Sequence, residues 1–229
     1  CDYNANAIFI EGESGKESNG NIINNNYIVD FGKAYPGLNT ILYGYGIQLN
    51  SYCNDNIIRN NYLEKCLCDI HIEDADRTLV SNNILYKALQ TESGGQVYRQ
   101  GHDGLQIKNS DYCTAVGNQA SYNCEHGIYI SGSSNCTVKG NSVNSNNGAG
   151  IKLNTNDTCR YNTISGNVCC ENGIGMDEGK DGILIVGQNS GSSDKNAVFG
   201  NVCSDNYRSG ILEDSGVGDG RTRRASPRA

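Results

Sequence analysis

The sequence predicts an all-β solenoid, a stack of parallel coils of about 23 residues each, on three observations. Gly104-Leu105-Gln106-Ile107, Gly127-Ile128-Tyr129-Ile130 and Gly150-Ile151-Lys152-Leu153 share one register, because 105, 128 and 151 are successive steps of 23. A short alternating strand repeated at that period cannot bury its own apolar side, so the coils stack along an axis. Composition agrees: with 29 Gly, 3 Phe and no Trp the chain is poor in large core residues, but it suits a narrow tube of Ile, Leu, Val and Cys. Asparagine then recurs after the apolar stretches, at Asn61, Asn83, Asn118, Asn141, Asn167 and Asn201.

Taken in order, the first strand of each coil continues through Gly46-Ile47-Gln48-Leu49, Asp69-Ile70-His71-Ile72, Gly182-Ile183-Leu184-Ile185 and Gly210-Ile211-Leu212, which makes seven coils. A second strand sits at Asn56–Asn61, Thr78–Asn83, Cys136–Asn141 and Asn162–Asn167. The recurring asparagines occupy one corner, where a residue tolerant of left-handed backbone is needed and successive amides can hydrogen-bond along the axis. The step from 70 to 105 is 35 residues, from 151 to 183 is 32 and from 183 to 211 is 28, so loops are inserted at 88–101, 171–180 and 187–194. A further insertion at about 31–44 carries Tyr35, Pro36 and Tyr43, with Tyr45 at its end. Inserted loops on a repeat scaffold mark its working face. One domain spans 1–215, and the Arg-rich segment 216–229 breaks the repeat as a disordered or appended tail.

Cys113, Cys136 and Cys159 are each 23 apart and are expected in one interior column, with Cys169 and Cys203 each two residues after a corner Asn. Equivalent residues of adjacent coils lie ~4.8 Å apart and a disulfide wants Cβ atoms at ~3.8 Å, so a reduced, buried ladder is expected. The odd total of 11 cysteines leaves at least one thiol, and no coupled C-x-x-C pairs signal zinc. A net charge of -7, with four of the basic residues in the tail, disfavours nucleic acid as a partner. No apolar run is long enough to span a membrane, and the start at Cys1 in mid-pattern reads as a mature chain or an excised fragment.

Strand parity then selects the candidate site. With Leu105, Ile107, Ile128, Ile130, Ile151 and Leu153 inward, Gln106, Lys108, Tyr129, Ser131, Lys152 and Asn154 point outward on neighbouring coils, beside His71 and Glu73. A cation to neutralise a uronate carboxylate, with a base and an acid to move protons, is what uronan lyases and epimerases require. His102-Asp103 and Glu125-His126 are offset by 23, which stacks His102 over Glu125 and Asp103 over His126. That corner reads as an Asp103-oriented His126 base beside Tyr129, as a site for a divalent metal such as calcium, or as hydrogen bonds fastening two coils. Tyr27, Tyr62, Tyr86, Tyr122 and other tyrosines sit near turns, where they cap the tube, lie on its surface or form a sugar platform.

The Gly-Ile-x-Ile strand followed by Asn-x-Ile-x-x-Asn resembles the right-handed parallel β-helix repeats of pectate-lyase-like enzymes, mannuronan C5-epimerases and the periplasmic β-helix family tied to nitrous-oxide reductase maturation. Viral tail spikes and adhesins share that repeat. The similarity runs from about Gly46 to Ile211, with a local echo of the epimerases around His102-Asp103-Gly104-Leu105. Where the epimerases have Asp-Pro-His, this chain has Gln106-Ile107-Lys108, and no Asp-rich calcium cluster of the pectate-lyase kind is found. The resemblance implies a right-handed parallel β-helix acting on an acidic polysaccharide by β-elimination or C5 epimerisation. Tyr129, His126, Asp103, His71, Lys108 and Lys152 are the candidate catalytic residues. Gln106, Glu73, Asn154, His102 and Glu125 are the candidate substrate contacts, with no resident cofactor. The alternative is a non-catalytic glycan-binding or structural β-helix, such as a tail-spike or adhesin fragment. The expected protein is a monomer or homotrimer, extracellular, cell-surface or periplasmic, although buried thiols also suit a cytoplasmic or viral origin.

Overall fold

The computed structural model describes residues 6–30, 44–88, 91–93, 96–98, 102–154, 159–175, 179–187 and 195–214. The chain winds as a right-handed β-helix of three parallel sheets, one with eight strands and two with seven. The eight-stranded sheet, here the long sheet, holds Ile8–Ile10, Tyr45–Leu49, Cys68–Glu73, Leu105–Lys108, Ile128–Ser131, Ile151–Asn154, Asp181–Val186 and Ser209–Asp214. Ile47, Ile70, Leu105, Ile128, Ile151, Ile183 and Ile211 fall on one register, as the repeat predicts. The strand at Ile8–Ile10 adds an eighth coil that the period hides, because its step to Ile47 is lengthened by the 31–44 insertion.

The second sheet begins with Ile22–Asn24 and Ile57–Arg59 and ends with Ala197–Phe199. The third, absent from the sequence reading, holds Tyr27–Val29, Tyr62–Glu64, Ile84–Tyr86, Gln119–Ser121, Ser142–Asn144, Val168–Cys170 and Val202–Ser204. Each of its strands is three residues long, and all but the last have one buried side chain at the centre, too short to leave a periodic signal. The core is the expected tube: Ile70, Ile72, Val80, Leu85, Leu105, Ile107, Ile128, Ile130, Ile151 and Leu153 are fully buried.

The corner between the second and third sheets carries the asparagine ladder. Asn118 accepts hydrogen bonds from the backbone NH and Nδ2 of Asn83, each at 3.0 Å. It donates its own NH and Nδ2 to Asn141 Oδ1 at 2.9 and 3.1 Å, and Nδ2 also reaches the Val80 carbonyl at 3.0 Å. The same links join Asn26 to Asn61, Asn61 to Asn83, Asn141 to Asn167 and Asn167 to Asn201. The left-handed residue is the one before each ladder asparagine, not the asparagine itself: Asn25, Asn60, Asn82, Gly117, Gly140, Gly166 and Gly200 all have φ between 53° and 67°. The turn is made by one residue, and the next side chain is thereby aimed inward along the axis.

The ten described cysteines are thiols, and most are buried. Cys113 and Cys136 share a column, but Cys159 does not join it. The coil between is lengthened to 26 residues, so Thr137 pairs with Thr163 and the NH of Cys136 donates to Asn162 Oδ1. Cys159 stacks on Ser133 instead, accepting from its NH at 3.4 Å. Of the expected insertions, 88–101 contains an antiparallel hairpin, Thr91–Ser93 against Gln96–Tyr98. Segments 31–43 and 188–194 and the tail from 215 lie outside the described residues. No helix among the described residues is long and apolar enough to cross a membrane.

Replacing Asn118 with Ala strands the donors of Asn83 and the Val80 carbonyl in a dry corner. Each stranded buried group costs about 1–3 kcal/mol. A urea titration followed by circular dichroism is expected to show a loss of about 2–4 kcal/mol with the β signature intact.

Candidate functional site

Register on the long sheet builds the site. One outward row runs Gln48, His71, Gln106, Tyr129, Lys152 and Leu184, and a second runs Glu73, Lys108, Ser131, Asn154 and Val186. The residues selected by parity therefore share one face, but they divide into two groups. In the first, Asn154 Nδ2 donates to the Tyr129 hydroxyl at 3.0 Å, and Lys152 Nζ stands 5.6 Å from the centre of the Tyr129 ring. In the second, Glu73 bridges His71 Nε2 at 3.1 Å and Lys108 Nζ at 2.7 Å. The hydrogen bond from His71, with that from Lys108, holds the Glu73 carboxyl down at about 2, and Glu73 in turn pushes the Lys108 ammonium up. Lys108 thus already faces a carboxylate, whereas Lys152 faces an aromatic ring.

His71 is buried under Tyr45, whose ring stacks on the imidazole at 4.5 Å and 10°. Tyr45 is the first residue of a long-sheet strand and pairs with Cys68, so it belongs to the site face and not to the preceding insertion. Its position directly before Gly46, matching Asp103 before Gly104, is the signal that could have identified it. Gln106, between the two groups, donates to Asp103 Oδ2 at 3.3 Å.

The histidine and carboxylate corner stacks as expected but bonds differently. Asp103 Oδ1 accepts the backbone NH of His126 at 2.9 Å and does not orient its ring. The imidazole Nδ1 accepts from the Ala149 NH at 2.9 Å, which fixes the proton on Nε2. Burial, with the nearby Lys152 charge, holds His126 well below the ordinary histidine range, and burial alone lowers His102 to about 4. Gly148 makes this packing possible, since a Cβ there would meet His126 Nδ1 at 2.5 Å. Asp103 is almost fully buried, and burial followed by the Glu125 charge pushes its carboxyl well up. Among the described residues no group of three His, Cys, Asp or Glu side chains is placed to hold a metal ion.

Asp69 breaks the repeat in an informative way. Six of the other seven coils have glycine at its position, the first having Ala7, and a Cβ on Gly104, Gly127, Gly150 or Gly182 would lie 2.7–2.8 Å from the amide nitrogen of Asn123, Asn146, Asn172 or Asn206. The Asp69 coil has Ala88 where those asparagines stand, its NH donating to the Asn123 side chain of the next coil. Aspartate and alanine here replace glycine and asparagine as a pair. The carboxyl is fully buried beside Cys66 and the Tyr86 backbone, with neither oxygen in a well-formed hydrogen bond. Burial pushes it far above the ordinary carboxylate range.

A family model described as a right-handed beta helix region matches residues 2–193. Among solved structures, pectate lyase Pel9A is similar at a TM-score of 0.51 and 13% identity, over 97% of this chain and 68% of that one. The A-module of the Azotobacter vinelandii mannuronan C-5 epimerase AlgE6 is similar at 0.49 and 15%, over 76% of this chain and 53% of that one. The periplasmic alginate epimerase AlgG gives 0.43 and 17%, over 86% and 51%. The chain thus spans about half the length of the two epimerases. At these identities the likeness is one of fold. No curated protein matches the chain.

A carboxyl whose folded pKa is raised favours the folded state fully below its unfolded value and withdraws that stability as pH rises through the folded one. Asp69 and Asp103 therefore withdraw stability from about pH 4 upward, whereas the buried His102 and His126, held low, add it up to about pH 6.5, so a net decline is expected above about pH 6.5. Asp69→Asn replaces the carboxyl with an amide that does not ionise, and thermal melts across pH should show a flatter profile and a higher Tm at neutral pH.

Proposed function

The chain belongs to the right-handed β-helix family, and from that premise we propose that it binds a uronic-acid-containing polysaccharide along the long sheet and cleaves it by β-elimination. The observation that carries this reading is the pairing of Tyr129 with Lys152 and Asn154 on adjacent coils of one outward face. Lys152 is the cation for the substrate carboxylate. Neutralising that carboxylate acidifies the adjacent C5 proton, whose removal otherwise builds charge on the carbanion.

Tyr129 is the group for proton transfer. Its oxygen, steadied by the Asn154 amide, takes the C5 proton while the hydroxyl's own proton passes to the leaving oxygen, as the bond from C4 to that oxygen breaks and the C4–C5 double bond forms. His126 lies beside Tyr129, the rings 5.8 Å apart, but is buried with Nδ1 occupied, so it supports the tyrosine and does not meet substrate. His71 is two coils from Tyr129, about 10 Å at the spacing of parallel strands, too far to serve the same sugar carbon. Lys108 and Glu73 hold each other and, with Gln106, contact neighbouring sugars. Asp103, His102 and Glu125 fasten the corner beneath.

One proton-transfer group on one face suits syn elimination, in which the same residue takes one proton and gives another. Epimerisation needs a second group on the opposite face of the sugar, and the described sheet offers only one side. Incubation with alginate, pectate and glycosaminoglycans is expected to raise ultraviolet absorbance as unsaturated uronate forms. Tyr129→Phe should lower that rate about 100-fold or more, and Lys152→Ala should weaken both binding and turnover. Solvent deuterium entering the polymer without an absorbance rise would replace elimination with epimerisation. Binding with neither signal would leave a glycan-binding module.

A further inference from the structure

The outer face of the long sheet is open over a short stretch only. In its outward row Gln106, Tyr129 and Lys152 are half-buried, whereas the residues at either end of that stretch, His71 and Leu184, are almost fully buried. Leu184 pairs with Lys152 and Leu212 and alternates with the inward Ile183 and Ile185. An outward leucine is expected to be open to water, yet Leu184 is only 4% exposed and stands apart from the core cluster. Its cover therefore lies outside the sheet, across the path of any strand that runs along the axis beyond Lys152. At the other end Tyr45 lies flat on His71, which is 3% exposed.

A third side is closed where the Tyr129 and Lys152 strands begin. Gly179, in the insertion at 171–180, has φ 75° and packs on the residues that precede both strands. A Cβ there would meet His126 Cε1 at 3.1 Å and the Ala149 backbone nitrogen at 3.5 Å. A sugar chain crossing the sheet over Tyr129 would run into this turn. The side left is the one where the strands end, at Lys108, Ser131 and Asn154.

From His71 to Leu184 is four coil steps, about 19 Å, and the open row from Gln106 to Lys152 takes two of them, about 10 Å. That length holds a short run of sugars. A polymer bound by its interior needs two exits, and a chain of pyranose rings is too stiff to enter and leave by one side within that length. We propose that the site takes the end of a uronan chain and not its interior, with the terminal sugars lying between Lys152 and Gln106 and the rest leaving over the Lys108 and Ser131 side. Cleavage then removes a sugar or a short oligosaccharide from the chain end. The proposal rests on the reading of this face as a uronan site, and it names the part of the polymer that is bound.

Titration calorimetry of the Tyr129→Phe protein with alginate and with pectate, each intact and partly hydrolysed to a tenth of its length, tests the proposal without turnover. At equal mass the shortened polymer carries ten times the chain ends and should bind about tenfold more tightly by mass. Equal affinity by mass would overturn end binding and leave the uronan reading standing, whereas no binding to either polymer would overturn both. With the unaltered protein, ultraviolet absorbance should rise while the viscosity of the polymer stays nearly constant, and the first products should be short. An early fall in viscosity with products of all lengths would overturn end binding as well. Tyr45→Ala uncovers His71 without touching Tyr129 or Lys152 and should lengthen the first products; products of unchanged length would overturn Tyr45 as a boundary of the site.

Discussion

The structure depends on how each coil is tied to the next at its corners. At each corner a residue with left-handed backbone turns the chain, and the side chain that follows is aimed inward, where an asparagine bonds the neighbouring coil. Four such columns recur, for example Gly20, Asp55, Arg77, Tyr112, Asn135, Tyr161 and Lys195 in one and Tyr52, Asp74, Asn109 and Gly132 in another. Asn118 alone makes five hydrogen bonds of this kind. Because most of the turning residues expose their side chains, the columns tolerate Tyr, Lys, Asp and Gly alike, while the inward position behind them stays small, asparagine along the ladders and Ala, Ser, Thr or Cys in other coils. Stability is thus distributed as contacts between neighbouring coils, the behaviour expected of a quasi-one-dimensional repeat.

Once the corners hold the coils in register, strand parity determines what the outer face displays. Inward Ile128 and Ile130 oblige Tyr129 to face out, and the next coil's Ile151 and Leu153 do the same for Lys152. Tyr129, Lys152 and Asn154 therefore come together without any loop to carry them. The histidines show the opposite side of the same constraint. His126 stands one position before the strand glycine, where the chain is still turning, and it is drawn into the wall to accept the Ala149 NH. His71 faces outward, but Tyr45 covers it.

The long-sheet register and the Asn61-to-Asn201 ladder were legible because each rests on a side chain repeated at a fixed place. The third sheet was not, since three-residue strands such as Ser142–Asn144 leave one buried residue between polar ones. The Cys159 column failed for a related reason: a constant step of 23 slips where the coil lengthens to 26, and Thr137 then pairs with Thr163. The outward site residues could be named from parity, but their pairing could not. Nothing in spacing shows that Glu73 already occupies Lys108, or that Asp103 bonds a backbone NH and not an imidazole. The exchange of glycine and asparagine for Asp69 and Ala88 was written in the chain, yet visible only once the third-sheet corner was known.

The central claim is that the Tyr129 and Lys152 pair on the long sheet is where an acidic sugar sits. A crystal structure of the Tyr129→Phe protein with a short uronate oligosaccharide tests it most directly. The account predicts a sugar carboxylate against Lys152 Nζ, with C5 of that sugar turned toward position 129. An oligosaccharide held elsewhere on the coil, with Lys152 open to solvent, would contradict it.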